Sequence, residues 1–400
     1  MIEQANRMKD APLSKIREIM SRANFLSAEG RDIVHLEIGE PDYETPKYIV
    51  DAAKKALDEG KTHYPPVPGI PELRVTIADK LNKDCNTSYA ADEILVTSGV
   101  SHGIFLAIMS FLNEGDEILI PSPAYLAYMT APIIAGAKVK YYSLTEESGY
   151  QIDIENLKSQ ITEKTKMIVL ISPHNPTGTV LNENTLAEIS KIAIENNLIV
   201  VSDEIYQGIV YDNIKATSIA SLPGMKERTI LMNGFSKYYV MTGWRLGYIA
   251  CSKELIDPMM RLTFYSVTSA NTFVQWAGIT ALTGDDSECR EMLKEYERRR
   301  NLIYEGINSI DGISCVKPEG AFYVFVNIKK LGITSNEFCS FILEKYGVAT
   351  VPGHVFGDDG EGYVRISYAN SFENIEKGLS RISEGVKHLN LIKDDISFVK

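Results

Sequence analysis

A lysine set among aromatic residues stands in the middle of the chain. The stretch MNGFSKYYVMTGWRLGY, residues 232–248, places Lys237 directly before Tyr238 and Tyr239, and Arg245 follows eight residues after the lysine. A lysine amine becomes a nucleophile, and forms a Schiff base with an aldehyde, when a pocket lowers its pKa. A single lysine after a strand is more often a solvated surface group. A reactive role for Lys237 therefore depends on what other segments bring beside it.

Pyridoxal 5'-phosphate is the cofactor that uses such a lysine, and it makes further demands on a site. An acid must pair with the pyridine nitrogen, and a flat side chain must cover the ring. An arginine and backbone N–H groups must hold the phosphate. The sequence offers candidates for all of these tasks at the ends of short apolar runs: Gly99, Val100, Ser101, Tyr125, Asn175, Asp203, Tyr206 and Arg245.

Each candidate also has an ordinary structural explanation. Asp203 in VVSDEIY suits a helix cap, and Asn175 in HNPTG suits a turn. Tyr125 and Tyr206 suit the edge of a core. The shared position of these residues favours the functional interpretation, because five separate strands deliver them and ligands of open α/β sheets bind beyond the carboxyl ends of the strands.

The elements that position these residues are visible as short apolar runs, which recur from about residue 92. They cover residues 93–99, 117–123, 138–144, 167–173, 198–204, 229–235 and 246–252. Most are rich in Ile, Val and Leu without alternation, which is typical of strands buried on both faces. Helical segments such as 182–197 lie between many of them. The pattern predicts an α/β fold whose large domain has a mostly parallel sheet flanked by helices.

The pattern changes after residue 285. A long charged amphipathic helix at 288–310 precedes apolar runs at 320–328 and 363–369, with another helix near 334–346. This arrangement predicts a smaller α+β domain. We expect three parts: an N-terminal segment (1–45) that packs with the small domain, a large cofactor-binding domain (46–285) and a small C-terminal domain (286–400).

Composition and charge argue against several other classes of protein. The 400 residues carry a formal net charge of −12, which disfavours binding to nucleic acid. The five cysteines are dispersed, and the charged N-terminus is no signal peptide, so we expect a cytoplasmic protein without a membrane partner. The six histidines lack metal-ligand spacing, and GKT at 60–62 lacks the glycine of a P-loop. We therefore expect neither a metal nor a nucleotide.

Nine sequence stretches in a fixed order give a specific resemblance. They include SPHNPTG at 172–178, SDEIY at 202–206 and the stretch around Lys237, and they extend from LEIGEPDYETP at 36–46 to YVRISYA at 363–369. In this arrangement the chain resembles the fold-type I pyridoxal-phosphate-dependent aminotransferases, the class I/II group related to aspartate aminotransferase. The resemblance covers nearly the whole chain, and it implies pyridoxal 5'-phosphate as cofactor and a homodimer with shared active sites.

The resemblance also implies a role for each candidate residue. Lys237 forms the internal aldimine and moves the proton between the substrate Cα and the cofactor, while Asp203 keeps the pyridine nitrogen protonated. Tyr206 and Asn175 bind the phenolic oxygen of the ring, and Tyr125 stacks on it. The implied phosphate ligands are Gly99, Val100, Ser101, Ser236, Arg245 and, across the dimer, Tyr64 of the partner subunit. The implied ligands of the substrate α-carboxylate are Arg365, Gly39 and Asn175.

The implied reaction is ping-pong transfer of the amino group of an L-amino acid to a 2-oxo acid, 2-oxoglutarate or pyruvate. Two positions depart from the family pattern. Gly234 stands where many relatives have a serine that contacts the phosphate, and Ser101 stands where some relatives for acidic substrates have lysine. A β-elimination lyase or an enzyme similar to aminocyclopropane-carboxylate synthase would keep nearly the same residues and stays an alternative. The amino donor is left open among aspartate, aromatic, branched and diaminopimelate-type substrates.

Overall fold

The computed structural model describes residues 3–9, 11 and 15–397. Residues 1, 2, 10, 12–14 and 398–400, which belong to the predicted 1–45 segment and 286–400 domain, lie outside the described residues. The strands are β1 (Val34–His35), β2 (Ile94–Thr97), β3 (Glu117–Ser122), β4 (Lys138–Ser143), β5 (Thr165–Ile171), β6 (Ile199–Asp203), β7 (Thr229–Gly234), β8 (Gly247–Ala250), β9 (Ser314–Cys315), β10 (Tyr323–Asn327), β11 (Val348–Ala349), β12 (Val351–Pro352) and β13 (Tyr363–Ser367).

Helices separate most of these strands, as the alternating pattern predicts. They are α1 (Lys15–Ala28), α2 (Lys47–Asp58), α3 (Pro71–Cys85), α4 (Val100–Phe111), α5 (Leu126–Ala135), α6 (Ile154–Gln160), α7 (Glu183–Glu195), α8 (Lys253–Ser266), α9 (Thr272–Thr283), α10 (Ser287–Asn308), α11 (Ser335–Phe341) and α12 (Phe372–Ser397). None of the helices in the described part of the chain is long and apolar enough to cross a membrane.

Seven strands form one large sheet in the order β2-β8-β7-β6-β5-β3-β4. Only β8 runs antiparallel to its neighbours, so the predicted mostly parallel α/β sheet is confirmed. The central strands are buried on both faces because helices cover both sides, which is why β5 and β6 read as unbroken apolar runs. The edge strand β4 is partly exposed, and its lysines suit an unpaired edge.

A second, four-stranded antiparallel sheet has the order β12-β13-β10-β9. Helix α10 packs against β9 and β10, and α12 packs against α10. The short strand β1 pairs in parallel with β11, so the N-terminal segment joins the C-terminal part of the chain. The bounds of the three predicted parts themselves stay predictions. All five cysteines are buried free thiols.

The carboxyl ends of the large sheet position the candidate residues. Asp203 is the last residue of β6, and the turn that carries Lys237 follows β7. Gly99 caps α4 just after β2, with a φ of 82° that glycine adopts at little cost. Arg245 lies in the turn before β8 and has a φ of 56°, which is uncommon outside glycine. Such outliers concentrate at functional sites.

Candidate active site

The Lys237 amine lies in a largely enclosed environment at the end of β7. Its Nζ donates to the backbone carbonyl of Gly39 at 2.6 Å. It also lies 5.6 Å from the ring centres of Tyr206 and Phe322. Burial, together with the charge of Arg365, lowers the pKa of Lys237 to about 8. A substantial fraction of this amine is therefore neutral near physiological pH, as a nucleophilic lysine requires.

The Asp203 carboxyl is buried at the end of β6. Its Oδ2 accepts a hydrogen bond from the Tyr128 hydroxyl at 2.9 Å, and its Oδ1 accepts one from the Ile205 backbone N–H at 3.1 Å. Burial raises the pKa of Asp203 to about 6, although both hydrogen bonds favour the ionised form. A buried carboxylate of this kind is stabilised further by a cation, and a protonated pyridine nitrogen is such a partner.

The turn Gly99–Ser101 forms an anion-binding arrangement at the N-terminus of α4. The first N–H groups of a helix lack partners within the helix and favour a phosphate. The Arg245 guanidinium covers the same turn: a Cβ built on Gly99 would lie only 2.6 Å from Nη2 of Arg245. Glycine at this position therefore keeps the cation and the helix N-terminus together.

Close backbone packing explains two further glycines beside this turn. Gly234 of β7 pairs with Gly247 of β8, and a Cβ at Gly234 would lie 3.0 Å from the Gly247 Cα. A Cβ at Gly247 would lie 2.9 Å from both the Gly99 carbonyl carbon and the Val100 nitrogen. The end of β7, the start of β8 and the turn thus stack without intervening side chains. This packing gives Gly234 a structural reason that the sequence did not reveal.

The Arg365 guanidinium belongs to a buried residue of β13. Nη1 donates to Oδ1 of Asn175 at 3.2 Å, and Nη2 donates to the Glu37 carbonyl at 2.8 Å. Nε is buried and has no hydrogen-bond partner among the described residues. The guanidinium lies over the Tyr323 ring at 4.4 Å. A fork-shaped cation with spare donors suits a carboxylate.

The structure thus brings most of the predicted residues to one rim. The contacts above link Lys237 with Gly39 and Tyr206, and Arg365 with Asn175. Asp203 and Arg365 both lie near enough for their charges to act on the Lys237 amine. Ser236 is buried next to Lys237, and Tyr125 caps α5 nearby, where burial raises its pKa. Tyr64 differs, since its side chain is 88% exposed. Its contribution to a partner's site stays a prediction.

Three contributors were missed at the sequence level. Tyr128 binds Asp203, Tyr323 contacts both Tyr206 and Arg365, and the Glu37 carbonyl accepts from Arg365. Tyr128 stands one helical turn after Tyr125, a spacing that places both on one helix face. For Tyr323 and Glu37 the only sequence signal was their membership of the resembling stretches, KPEGAFYVF at 317–325 and LEIGEPDYETP at 36–46.

These residues fit pyridoxal phosphate on structural grounds. The helix N-terminus with its glycine turn suits the phosphate, and Asp203 suits the pyridine nitrogen. The lowered pKa of Lys237 suits attack on an aldehyde. The donor-rich Arg365 suits a substrate carboxylate beside that group.

Comparisons with known proteins agree with this geometry. The family model described as aminotransferase class I and II matches residues 31–382. The chain is 44% identical to an aspartate aminotransferase of Pyrococcus abyssi, over 94% of this chain and 97% of that protein. It is 42% identical to aromatic-amino-acid aminotransferase 2 of Thermococcus litoralis, over 97% of this chain and 99% of that protein. A solved aromatic aminotransferase of Pyrococcus horikoshii has a TM-score of 0.88 at 43% identity and covers 93% of this chain and 100% of its own.

Proposed function

The chain belongs to the class I and II aminotransferases, and we propose that Lys237, Asp203 and Arg365 form the centre of its active site. It is an aminotransferase, and its family implies pyridoxal 5'-phosphate as cofactor. The relatives named above do not favour the lyase alternative. One observation supports the proposed centre best: the Lys237 amine donates to the Gly39 carbonyl, and a Cβ built on Gly39 would lie 3.9 Å from Nη2 of the buried Arg365.

We propose that each residue of the cofactor site performs a separate binding task. Gly99, Val100, Ser101 and Arg245 hold the phosphate, with Ser236 beside them, and Tyr125 covers the ring. Tyr206 and Asn175 bind the phenolic oxygen, and Asp203 holds a proton at the pyridine nitrogen. When bound, pyridoxal phosphate supplies an electron sink for the negative charge that develops at the substrate Cα.

Lys237 is the proposed acid–base residue of the reaction. Its Nζ takes the proton from the Cα of the amino donor in the first half-reaction and gives a proton to the Cα of the new amino acid in the second. The first of these steps requires a neutral amine. The lowered pKa meets that requirement. Arg365 binds the α-carboxylate as a fork, with Gly39 and Asn175 beside it, and so orients the Cα hydrogen towards Lys237.

Two half-reactions follow from these roles. An L-amino acid leaves its amino group on the enzyme and departs as a 2-oxo acid, and a second 2-oxo acid then takes the group away. The proposed acceptor is 2-oxoglutarate or pyruvate. The names of the relatives support aspartate and aromatic amino acids as the first donors to examine.

We further propose a cytoplasmic homodimer. The highly exposed Tyr64, with the phosphate site as its predicted target in the other subunit, supports the dimer. The five buried free thiols agree with a reducing compartment. Sedimentation of the purified protein tests the dimer, and an active monomer would contradict it.

A substrate panel tests the proposed function. The protein is loaded with pyridoxal phosphate and mixed with aspartate, phenylalanine, tyrosine, alanine or leucine, each with 2-oxoglutarate or pyruvate. We expect formation of the matching 2-oxo acid and parallel lines in double-reciprocal plots, as a two-half-reaction mechanism requires. Release of ammonia without any added 2-oxo acid would instead support a lyase. Lys237→Ala is the control, and it should lose both the covalently bound cofactor and the turnover.

A further inference from the structure

Tyr323 connects two parts of the active site that the chain brings from distant positions. It is the first residue of β10, its register partner on β13 is Ser367, and only 1% of its surface is exposed. Arg365 lies two residues before Ser367 on the same strand. Tyr323 is therefore buried on the strand next to the one that carries Arg365.

The Tyr323 hydroxyl makes a hydrogen bond with the hydroxyl of Tyr206. Their oxygens are 2.8 Å apart, and the two rings meet edge to face. In a pair of hydroxyls one hydrogen lies between the oxygens and the other is free to point elsewhere. The direction of this bond therefore decides whether Tyr206 has a hydrogen to donate to a third group.

Electrostatics favour Tyr323 as the donor of this hydrogen bond. Burial raises the pKa of both phenols, and it raises that of Tyr206 far above the ordinary value. The charge of Arg365 counteracts this rise in both phenols, but its guanidinium lies directly over the Tyr323 ring, at 4.4 Å. The phenol that lies closer to a cation is the better donor, so the contact with Arg365 favours Tyr323 as the donor to Tyr206.

The same ring also supports the arginine and the N-terminal segment. A guanidinium over an aromatic face is held by cation–π attraction. A Cβ on Gly39 would lie 2.8 Å from the Tyr323 hydroxyl, so the backbone that accepts from Lys237 packs directly on it. Tyr323 thus contacts the carboxylate fork, the Tyr206 hydroxyl and the Gly39 segment at once.

We propose that Tyr323 is a positioning residue with two separable roles. Its hydroxyl donates to Tyr206 and thereby leaves the Tyr206 hydrogen for the phenolic oxygen of the cofactor, while its ring holds the Arg365 fork in place. This inference rests on the proposed function, because it assumes a cofactor beside Tyr206.

Absorbance titration tests the role of the hydroxyl. The wild-type, Tyr323→Phe, Tyr206→Phe and double-variant proteins are loaded with pyridoxal phosphate, and their visible absorbance is followed against pH. A hydrogen bond to the phenolic oxygen stabilises the unprotonated form of the cofactor's link to Lys237. Loss of the donor should therefore raise the pKa at which the visible absorbance changes, here called the absorbance pKa. We expect a rise of about half a unit for Tyr323→Phe and a larger rise for Tyr206→Phe. In the double variant the absorbance pKa should equal that of Tyr206→Phe alone.

Substrate kinetics test the role of the ring. Tyr323→Phe keeps a face under Arg365, so the KM for an amino acid should stay near that of wild type. Tyr323→Leu removes the face, and the KM should rise about threefold to tenfold. The matched control is Tyr368→Phe, which removes another buried hydroxyl, one that donates to the Ala321 carbonyl. It should change neither the KM nor the absorbance pKa.

The outcomes separate this inference from the proposed function. If Tyr206→Phe moves the absorbance pKa and Tyr323→Phe does not, or if the two shifts add in the double variant, the hydroxyl role is wrong. If Tyr323→Phe raises the KM as much as Tyr323→Leu, the ring role is wrong. If the wild-type protein itself shows no pH-dependent visible absorbance with the cofactor, the proposed function fails instead.

Discussion

The Tyr128 hydroxyl donates to Oδ2 of Asp203 at 2.9 Å, and both side chains are buried. This bond lowers the pKa of Asp203, which burial raises to about 6. Tyr128→Phe should therefore weaken the ionised form of Asp203 and reduce kcat about tenfold, with little change in KM. Steady-state kinetics against pH measure this. Tyr142→Phe, which removes a buried hydroxyl bonded to the Val169 carbonyl, is the control, and equal kinetics for both variants would contradict the role of Tyr128.

The lowered pKa of Lys237 predicts how the cofactor-free protein takes up pyridoxal phosphate. Only the neutral amine attacks the aldehyde, so the rate of covalent attachment should rise about tenfold per pH unit below about 8 and then level off. A surface lysine would level off only above pH 10. Stopped-flow absorbance between pH 6 and 9 gives the profile. A rate that is independent of pH in this range, or one that survives Lys237→Ala, would refute the assignment.

The packing of Gly247 against the phosphate turn predicts a selective binding defect. In Gly247→Ala the new methyl group meets the Gly99 and Val100 backbone, so the turn must shift and its N–H groups lose their alignment. We expect the affinity for pyridoxal phosphate to fall at least about tenfold, with a smaller loss for pyridoxal, which lacks the phosphate. Gly243→Ala is the control, since nothing lies within 4 Å of its new Cβ. Equal losses for both ligands would indicate a general folding defect instead.

The fork geometry of Arg365 predicts that lysine cannot replace it. Arg365→Lys keeps the charge but loses the paired N–H donors, so the KM for an amino acid should rise about 10- to 100-fold. An amine without a carboxylate provides the internal control, because its slow half-reaction does not use Arg365. Single-turnover spectroscopy with both substrates makes the comparison. A similar loss with the simple amine would mean that Arg365 acts on the cofactor site as a whole.

The raised pKa of Asp203 predicts a cost to the stability of the cofactor-free protein. Its carboxyl holds a proton more tightly when folded, with a pKa of about 6 against the ordinary value of 3.8. Stability is therefore lost as pH rises from about 4 to about 6, and the loss persists above that range. Asp203→Asn should stabilise the cofactor-free protein at pH 8 by about 1–3 kcal/mol and have no such effect near pH 4. Urea unfolding at both pH values tests this, and a destabilised variant at pH 8 would contradict it.

The sequence predicted the parts of the site that depend on strand ends. Asp203, Asn175 and Lys237 follow apolar runs, and the carboxyl ends of parallel strands meet at one edge, so their meeting could be expected from the pattern. The one antiparallel strand of the large sheet, β8, was not distinguishable, because it is as apolar as the parallel strands of that sheet. The positive φ of Arg245 could not be predicted either, because composition gives little sign of a left-handed conformation at a non-glycine residue.

The partners of these residues were harder to predict. Tyr128 and Tyr323 are tyrosines among 21 in the chain, and their contacts join positions 75 and 117 residues apart in sequence. No local periodicity reports such pairings. Gly234 was unassigned for a related reason, because a missing side chain becomes informative only when the opposing backbone is known.

The Arg365 fork has a consequence for how the protein is made. It joins Asn175 and the Glu37 carbonyl across separations of 190 and 328 residues. A ribosome must therefore release almost the entire chain before this site can close, whereas the Asp203 and Lys237 strands can pair much earlier. A nascent chain that ends before β13 lacks Arg365. It should already contain the large sheet and yet be unable to bind a carboxylate at the proposed site. The proposed carboxylate site can therefore form only after the strands of the large sheet have been made.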